Sequence, residues 1–166
     1  MNSCIFSTTS ESFPVDHIIY CGYISEIPKD KRKNDQTHSF KIITSAGPVY
    51  CYYIGIENAR KAKATLESMM SETKYAIFKS GAETTDVSRI VSFSKVLSLK
   101  KPENGFTHAI VATLETAAPE KPAQVWMHYK SEETARNARK ALYATIHSLY
   151  KKDSGSTVKD VEMAAT

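Results

Sequence analysis

The chain has 166 residues, a net charge of +4, 42% hydrophobic and 24% charged residues, which is the profile of one compact globular domain or of two small ones sharing a core. No stretch approaches the roughly 20 apolar residues of a membrane span, and residues 1–13 lack the basic and apolar regions of a secretory signal. Cys4, Cys21 and Cys51 are odd in number and sit in the first half, which argues against a disulfide framework and for an intracellular setting.

In chain order, residues 4–7 predict a short strand, followed by a polar stretch. Residues 17–27 are a long β-rich run. Lys29-Asp30-Lys31-Arg32-Lys33-Asn34-Asp35 is a charged connection. Residues 37–44 and 49–54 are two further strands around the turn Ser45-Ala46-Gly47-Pro48. Ala59, Ala62, Leu66, Met69 and Met70 then recur at helical spacing, with Arg60, Lys61 and Lys63 expected on the solvent side.

The pattern then starts again. Residues 75–79, 89–99, 107–115 and 125–130 predict four strands, and Lys100-Lys101-Pro102-Glu103-Asn104-Gly105 takes the place of the charged connection. A helix follows with Ala135, Ala138, Leu142, Ile146 and Leu149 on one side, Ser131 as its N-cap, and Arg136, Arg139 and Lys140 outward. Residues 5–27 match 77–99 at a constant offset of 72, with Ile5/Ile77, Phe6/Phe78, Glu11/Glu83, Val15/Val87 and Ile18/Ile90 identical. Residues 49–66 match 125–142, with Val49, Tyr53, Glu57, Ala59, Arg60, Ala62 and Leu66 each recurring. The expected fold is therefore α+β: an internal duplication of a β-β-β-β-α unit, with two curved antiparallel sheets and two helices about a pseudo-twofold axis. Residues 3–73 and 74–150 would be the two repeats, packed as one domain, and 151–166 a disordered tail.

Strand side chains alternate between faces. With Val125, Met127 and Tyr129 facing the helix, Trp126, His128 and Lys130 face away; in the first copy Tyr50, Tyr52 and Ile54 do the same, and Lys41 joins them from the neighbouring strand. Tyr23 and Lys95 share a less decisive face, because a bulge near Gly22 interrupts the alternation. An aromatic sheet face suits base stacking. The basic connections, through Lys31, Arg32, Lys33, Lys100 and Lys101, suit phosphate contacts. The same rings equally suit packing against protein.

His38 and His108 occupy equivalent Thr-His pairs and are expected to bond locally rather than hold a metal. No nucleophile motif, phosphate loop or zinc spacing is present, so the chain is expected to be no enzyme and to need no cofactor.

Two tandem β-β-β-β-α units across residues 4–150 resemble the PUR-repeat and Whirly-type single-stranded nucleic-acid binding folds. The resemblance is one of topology. It carries over no binding residue, and the Whirly Lys-Gly-Lys-Ala-Ala-Leu-Ser motif is missing. It implies a single-stranded DNA- or RNA-binding protein, cytoplasmic or nucleoid-associated; on the strand-face reading above, Tyr50, Tyr52 and Trp126 would stack, and His128, Lys130, Lys41 and the basic connections would meet phosphate. The alternative expectation is a protein partner, including a second copy forming a homodimer, on the same aromatic face.

Overall fold

The computed structural model describes residues 4–154. The first half contains β1 (Ile5–Ser7), β2 (Ser12–Pro14), β3 (Ile18–Glu26), β4 (His38–Thr44), β5 (Gly47–Tyr53) and helix α1 (Ile56–Thr73). The second contains β6 (Ile77–Ser80), β7 (Glu83–Asp86), β8 (Ile90–Phe93), β9 (Leu97–Glu103), β10 (Phe106–Leu114), β11 (Ala123–Tyr129) and helix α2 (Glu132–Ser154). Short 3-10 turns, Val15–His17 and Val87–Arg89, precede β3 and β8. The fold is α+β, with two helices and antiparallel pairing throughout the described strands.

One sheet runs β5-β4-β3-β7-β6, so the β6–β7 hairpin of the second half completes the sheet of the first. A second sheet runs β11-β10-β8, with β9 also on β10, and β1 and β2 form a sheet of two. Two buried clusters lie behind them. The first joins Phe6, Val15, Phe40, Ile42, Leu66 and Met70 beneath α1. The second joins Ile110, Leu114, Val125, Met127 and Leu142 beneath α2, and takes in Ile19, Tyr20 and Ile43 from the first sheet. Leu66 and Leu142 are both fully buried, each worth about 1.5–3 kcal/mol of burial.

Local chemistry explains several joints. Asn104 and Gly105 have φ of 54° and 80° and close the β9–β10 hairpin, the left-handed geometry that two-residue turns require. The pairing of β3 with β4 shifts register between Cys21 and Ile24, the bulge expected near Gly22. A Cβ on Gly22 would lie 3.2 Å from the Lys41 carbonyl oxygen, so the glycine permits a close backbone approach there. Ser131 caps α2, its Oγ accepting the Thr134 N–H at 3.1 Å. Ser131→Ala is expected to cost about 0.5–2 kcal/mol, read as a lowered urea midpoint.

The structure corrects the sequence reading in five places. Each half has an added short strand, β2 or β7, where a polar connection was expected. The run 89–99 is broken into β8 and β9 at Ser94-Lys95-Val96, where Ser94 Oγ accepts the Val111 N–H at 2.9 Å. Lys100 and Lys101 lie inside β9 rather than in a loop. α2 continues through residues 151–154, which were assigned to a disordered tail; 155–166 lie outside the described residues. Lys63 and Arg139 are not the open solvent-facing residues expected, Arg139 being half-buried. Lys63 is buried and pairs with Glu67 at 3.3 Å; Arg139 lies over the Phe93 ring at 5.0 Å and donates to the Ser94 carbonyl.

Side-chain bonds tie the two large sheets together. Tyr20 donates to the Trp126 carbonyl at 3.2 Å, and Ser80 to the Tyr129 hydroxyl at 2.6 Å. Lys74, just past α1, pairs with Asp86 of β7 at 3.1 Å, with both side chains buried.

Candidate functional site

The alternation of β5 and β11 decides which side chains meet solvent. Cys51, Val125, Met127 and Tyr129 are buried. Between them Tyr50, Tyr52 and Trp126 are 54%, 47% and 43% exposed, high values for aromatic residues on regular strands. The Tyr50 and Tyr52 rings lie nearly parallel, with centroids 6.5 Å apart. Lys41 stands directly across from Tyr50 in the β4–β5 pairing.

The outer faces of the two large sheets meet in an open cleft of about 340 Å³. Tyr50, Lys41 and Tyr23 line it from the first sheet; Trp126, Gln124 and His128 line it from the second. The Tyr20 bond to the Trp126 carbonyl fixes the separation of the two walls. Burial raises the Tyr20 phenol far above its ordinary range, with the neighbouring Glu83 charge adding to the effect, so it remains a donor.

His128 sits at the end of the cleft between the rings of Tyr23 and Phe106, with centroids 5.1 and 5.3 Å away. Its Nδ1 lies 2.7 Å from Glu83 Oε1, and its backbone N–H donates to the same oxygen at 3.2 Å. Glu83 is fully buried, and its Oε2 has no hydrogen-bond partner among the described residues. Burial raises the Glu83 pKa, and the His128 bonds act in the opposite direction. This pair holds the imidazole in one orientation.

The remaining candidate residues are spread out. Lys130 lines a separate groove of about 690 Å³ beyond His128, with Phe106 and the start of α2. Lys31 and Lys33 are exposed at the β3–β4 connection. Arg32 closes that connection on itself, donating to the Ile27 carbonyl at 2.9 Å and pairing with Glu26 at 2.8 Å. Lys100 and Lys101 are exposed, and as consecutive strand residues they point to opposite faces. The structure thus brings Tyr50, Trp126, Lys41 and His128 to one cleft, with Tyr52 beside it. It does not bring the basic connections into that cleft.

His38 and His108 each bond to the preceding threonine, Nδ1 to Oγ1, at 2.7 and 2.8 Å. Among the described residues no group of three or more His, Cys, Asp or Glu is placed to hold a metal ion. Cys21 and Cys51 are free and buried, and burial pushes both thiols up to about 12. No helix among the described residues is long and apolar enough to cross a membrane.

Sequence reasoning missed Glu83 and Phe106 as members of the site, and the bulge near Gly22 kept it from deciding Tyr23, which the structure places in the cleft. The recurrence of glutamate at 11 and 83 marked the position, but Glu11 is exposed and Glu83 is buried, so the role belongs to one copy alone. Comparison of the chain with protein-family models, with curated proteins and with solved structures returns no match in any of the three.

Proposed function

We propose that the chain is a non-enzymatic binder of single-stranded nucleic acid, built as a duplicated unit of the PUR or Whirly type. The observation carrying the reading is the cleft itself: exposed aromatic side chains from two different sheets, Tyr50 and Trp126, with Lys41 of β4 across from Tyr50 at its wall. An unstacked base offers a π-face to such rings, and Lys41 is in place to meet the adjoining phosphate. Tyr52, whose ring lies nearly parallel to that of Tyr50, extends the platform along β5.

The duplication is supported by pairings that repeat at the sequence offset. Ile5↔Pro14, Phe6↔Phe13 and Ser7↔Ser12 in β1–β2 correspond, 72 residues on, to Ile77↔Asp86, Phe78↔Thr85 and Lys79↔Thr84 in β6–β7. The Val15 N–H bonds the Cys4 carbonyl as the Val87 N–H bonds that of Ala76. On this reading a pseudo-twofold relates the halves, and divergence has left the imidazole–carboxylate pair in the second.

The test is fluorescence anisotropy with labelled single-stranded and duplex oligonucleotides across a salt series. Single strands should bind more tightly than duplex, with a linear fall of log affinity against log salt. Trp126→Ala should weaken binding roughly tenfold, about 1.4 kcal/mol, and leave the salt slope unchanged, because stacking is removed and no phosphate contact is. Affinity unaltered by Trp126→Ala would remove the platform and pass the aromatic face to a protein partner.

A further inference from the structure

Strand β8 is paired on one edge only. β10 meets it through Ala112↔Phe93, Thr113↔Ser92 and Leu114↔Ile90, and no strand among the described residues pairs with its other edge. The corresponding part of β3 is paired on both sides. β4 lies along one edge, and β7 along the other through Tyr20↔Thr85 and Cys21↔Thr84. Moving these two pairs by the 72-residue offset gives Ser92↔Phe13 and Phe93↔Ser12. The strand that carries Ser12 and Phe13 is β2, which pairs with β1 alone.

Burial agrees that this ladder is unformed within the molecule. Thr84, Thr85, Tyr20 and Cys21 are all buried at the paired junction. Their counterparts Ser12 and Ser92 are exposed, and Phe13 and Phe93 are half-buried. Beside them Val91 is 67% exposed, a large apolar side chain on an open strand edge. Such an edge presents unpaired N–H and C=O groups and is a template for another strand.

Both edges are held where they stand. Phe6 and Val15 fasten the β1–β2 hairpin into the first core, and the Val15 N–H bonds the Cys4 carbonyl at 2.8 Å. β8 is fastened by its ladder to β10. Within this molecule the two edges do not pair, and Ser12 and Ser92 stay exposed, so both edges are open to a strand from another copy. Pro14 is no obstacle, since its counterpart Asp86 takes no part in the β3–β7 register.

We propose that a second copy of this chain supplies the missing strand: β2 of one copy pairs antiparallel with β8 of another, in the register Ser12↔Phe93 and Phe13↔Ser92. Made reciprocally, the contact is isologous and closes as a twofold dimer with two such ladders. The proposal rests on the duplication argued above and is independent of nucleic-acid binding.

The 166-residue chain should run by light scattering at about twice 18.5 kDa at micromolar concentration. In a Cys4→Ser background, two double variants test the register: Phe13→Cys with Ser92→Cys, and Ser12→Cys with Phe93→Cys. Adjacent antiparallel pairs alternate in spacing, so one of the two brings its Cα atoms to about 4.5 Å, within disulfide reach. Mild oxidation should then give a covalent dimer on a non-reducing gel, reversed by reductant. Mixing Phe13→Cys chains with Ser92→Cys chains should cross-link them to each other. An internal disulfide in a monomer would show that the chain closes on itself and would overturn the second copy as occupant. A dimer cross-linked by neither pair would overturn the strand pairing, and a monomer with no cross-link would overturn the proposal outright. Should one double variant fail to fold, the other and the mass of the unaltered chain decide.

Discussion

Lys74→Ala is expected to lower stability by about 3–5 kcal/mol, the cost of leaving a buried charge without its partner. Lys74 Nζ lies 3.1 Å from Asp86 Oδ2 and 3.2 Å from the Asp16 carbonyl. Its side chain and that of Asp86 are only 8% and 6% exposed. Asp86 retains the Ser88 N–H and Oγ, at 3.1 and 2.6 Å, but these serve its other oxygen. The residue joins the end of α1 to β7, so the loss is felt in both halves at once. Chemical denaturation of the variant should show the reduced stability with m unchanged, and the melting temperature should fall by about 10 °C, at 2–4 °C per kcal/mol for a chain of this size. Removing Asp86 as well should recover part of the loss, because the uncompensated carboxylate goes with it. A loss under about 1 kcal/mol would mean that water reaches the Asp86 carboxylate.

His128→Phe is expected to cost about 1–3 kcal/mol near neutral pH, since it takes a side-chain donor from a buried carboxylate. The dependence on pH carries the diagnosis. Burial raises the folded-state pKa of Glu83, so ionising it opposes folding. The stability this group contributes is full below the ordinary glutamate value of about 4.3 and is lost as pH rises through the higher folded value. His128 counters that loss, through its side-chain bond first, and the Lys63 charge does so to a smaller degree. Without His128 the folded pKa of Glu83 moves further up, so the variant should fall furthest behind the parent chain above that value. The two should converge toward acid pH, where Glu83 is protonated in both. Urea titrations at several pH values measure the gap. A gap independent of pH would show that His128 contributes packing against Tyr23 and Phe106 and nothing to Glu83.

What the sequence made legible follows from where periodicity survives. β5 and β11 are each buried on one face and open on the other, so their alternation placed Tyr50, Tyr52 and Trp126 outward, as observed. Both helices declared themselves by a buried stripe that includes Leu66 and Leu142. The strand Glu83-Thr84-Thr85-Asp86 did not, because all four residues are polar and all four are buried. Glu83 finds His128, Thr84 donates to Glu67 at 2.5 Å, and Asp86 finds Lys74. Each partner is distant in sequence, so no local pattern announces the strand. Lys63 eluded the reading for a related reason: a charge on a helix is expected outside, and only the Glu67 carboxylate one turn away makes its burial tolerable. The break between β8 and β9 depends on Ser94 bonding backbone from β10 and on Arg139 reaching over Phe93, which are again tertiary contacts.

The β6–β7 hairpin, lent by one half to the other's sheet, also sets a timetable for the chain. The contact of Tyr20 with Thr85 closes a loop of 65 residues, 85 minus 20, and contains the whole of α1. Contact order of that kind slows folding, because loop-closure entropy is spent before the strand pairing returns it. During synthesis the first sheet must wait until Asp86 has left the ribosome, and until then Tyr20 and Cys21 lack the cover that β7 provides. The two halves cannot mature one after the other. A chain severed between α1 and β6 should therefore yield fragments that are each incomplete alone and that regain structure when mixed.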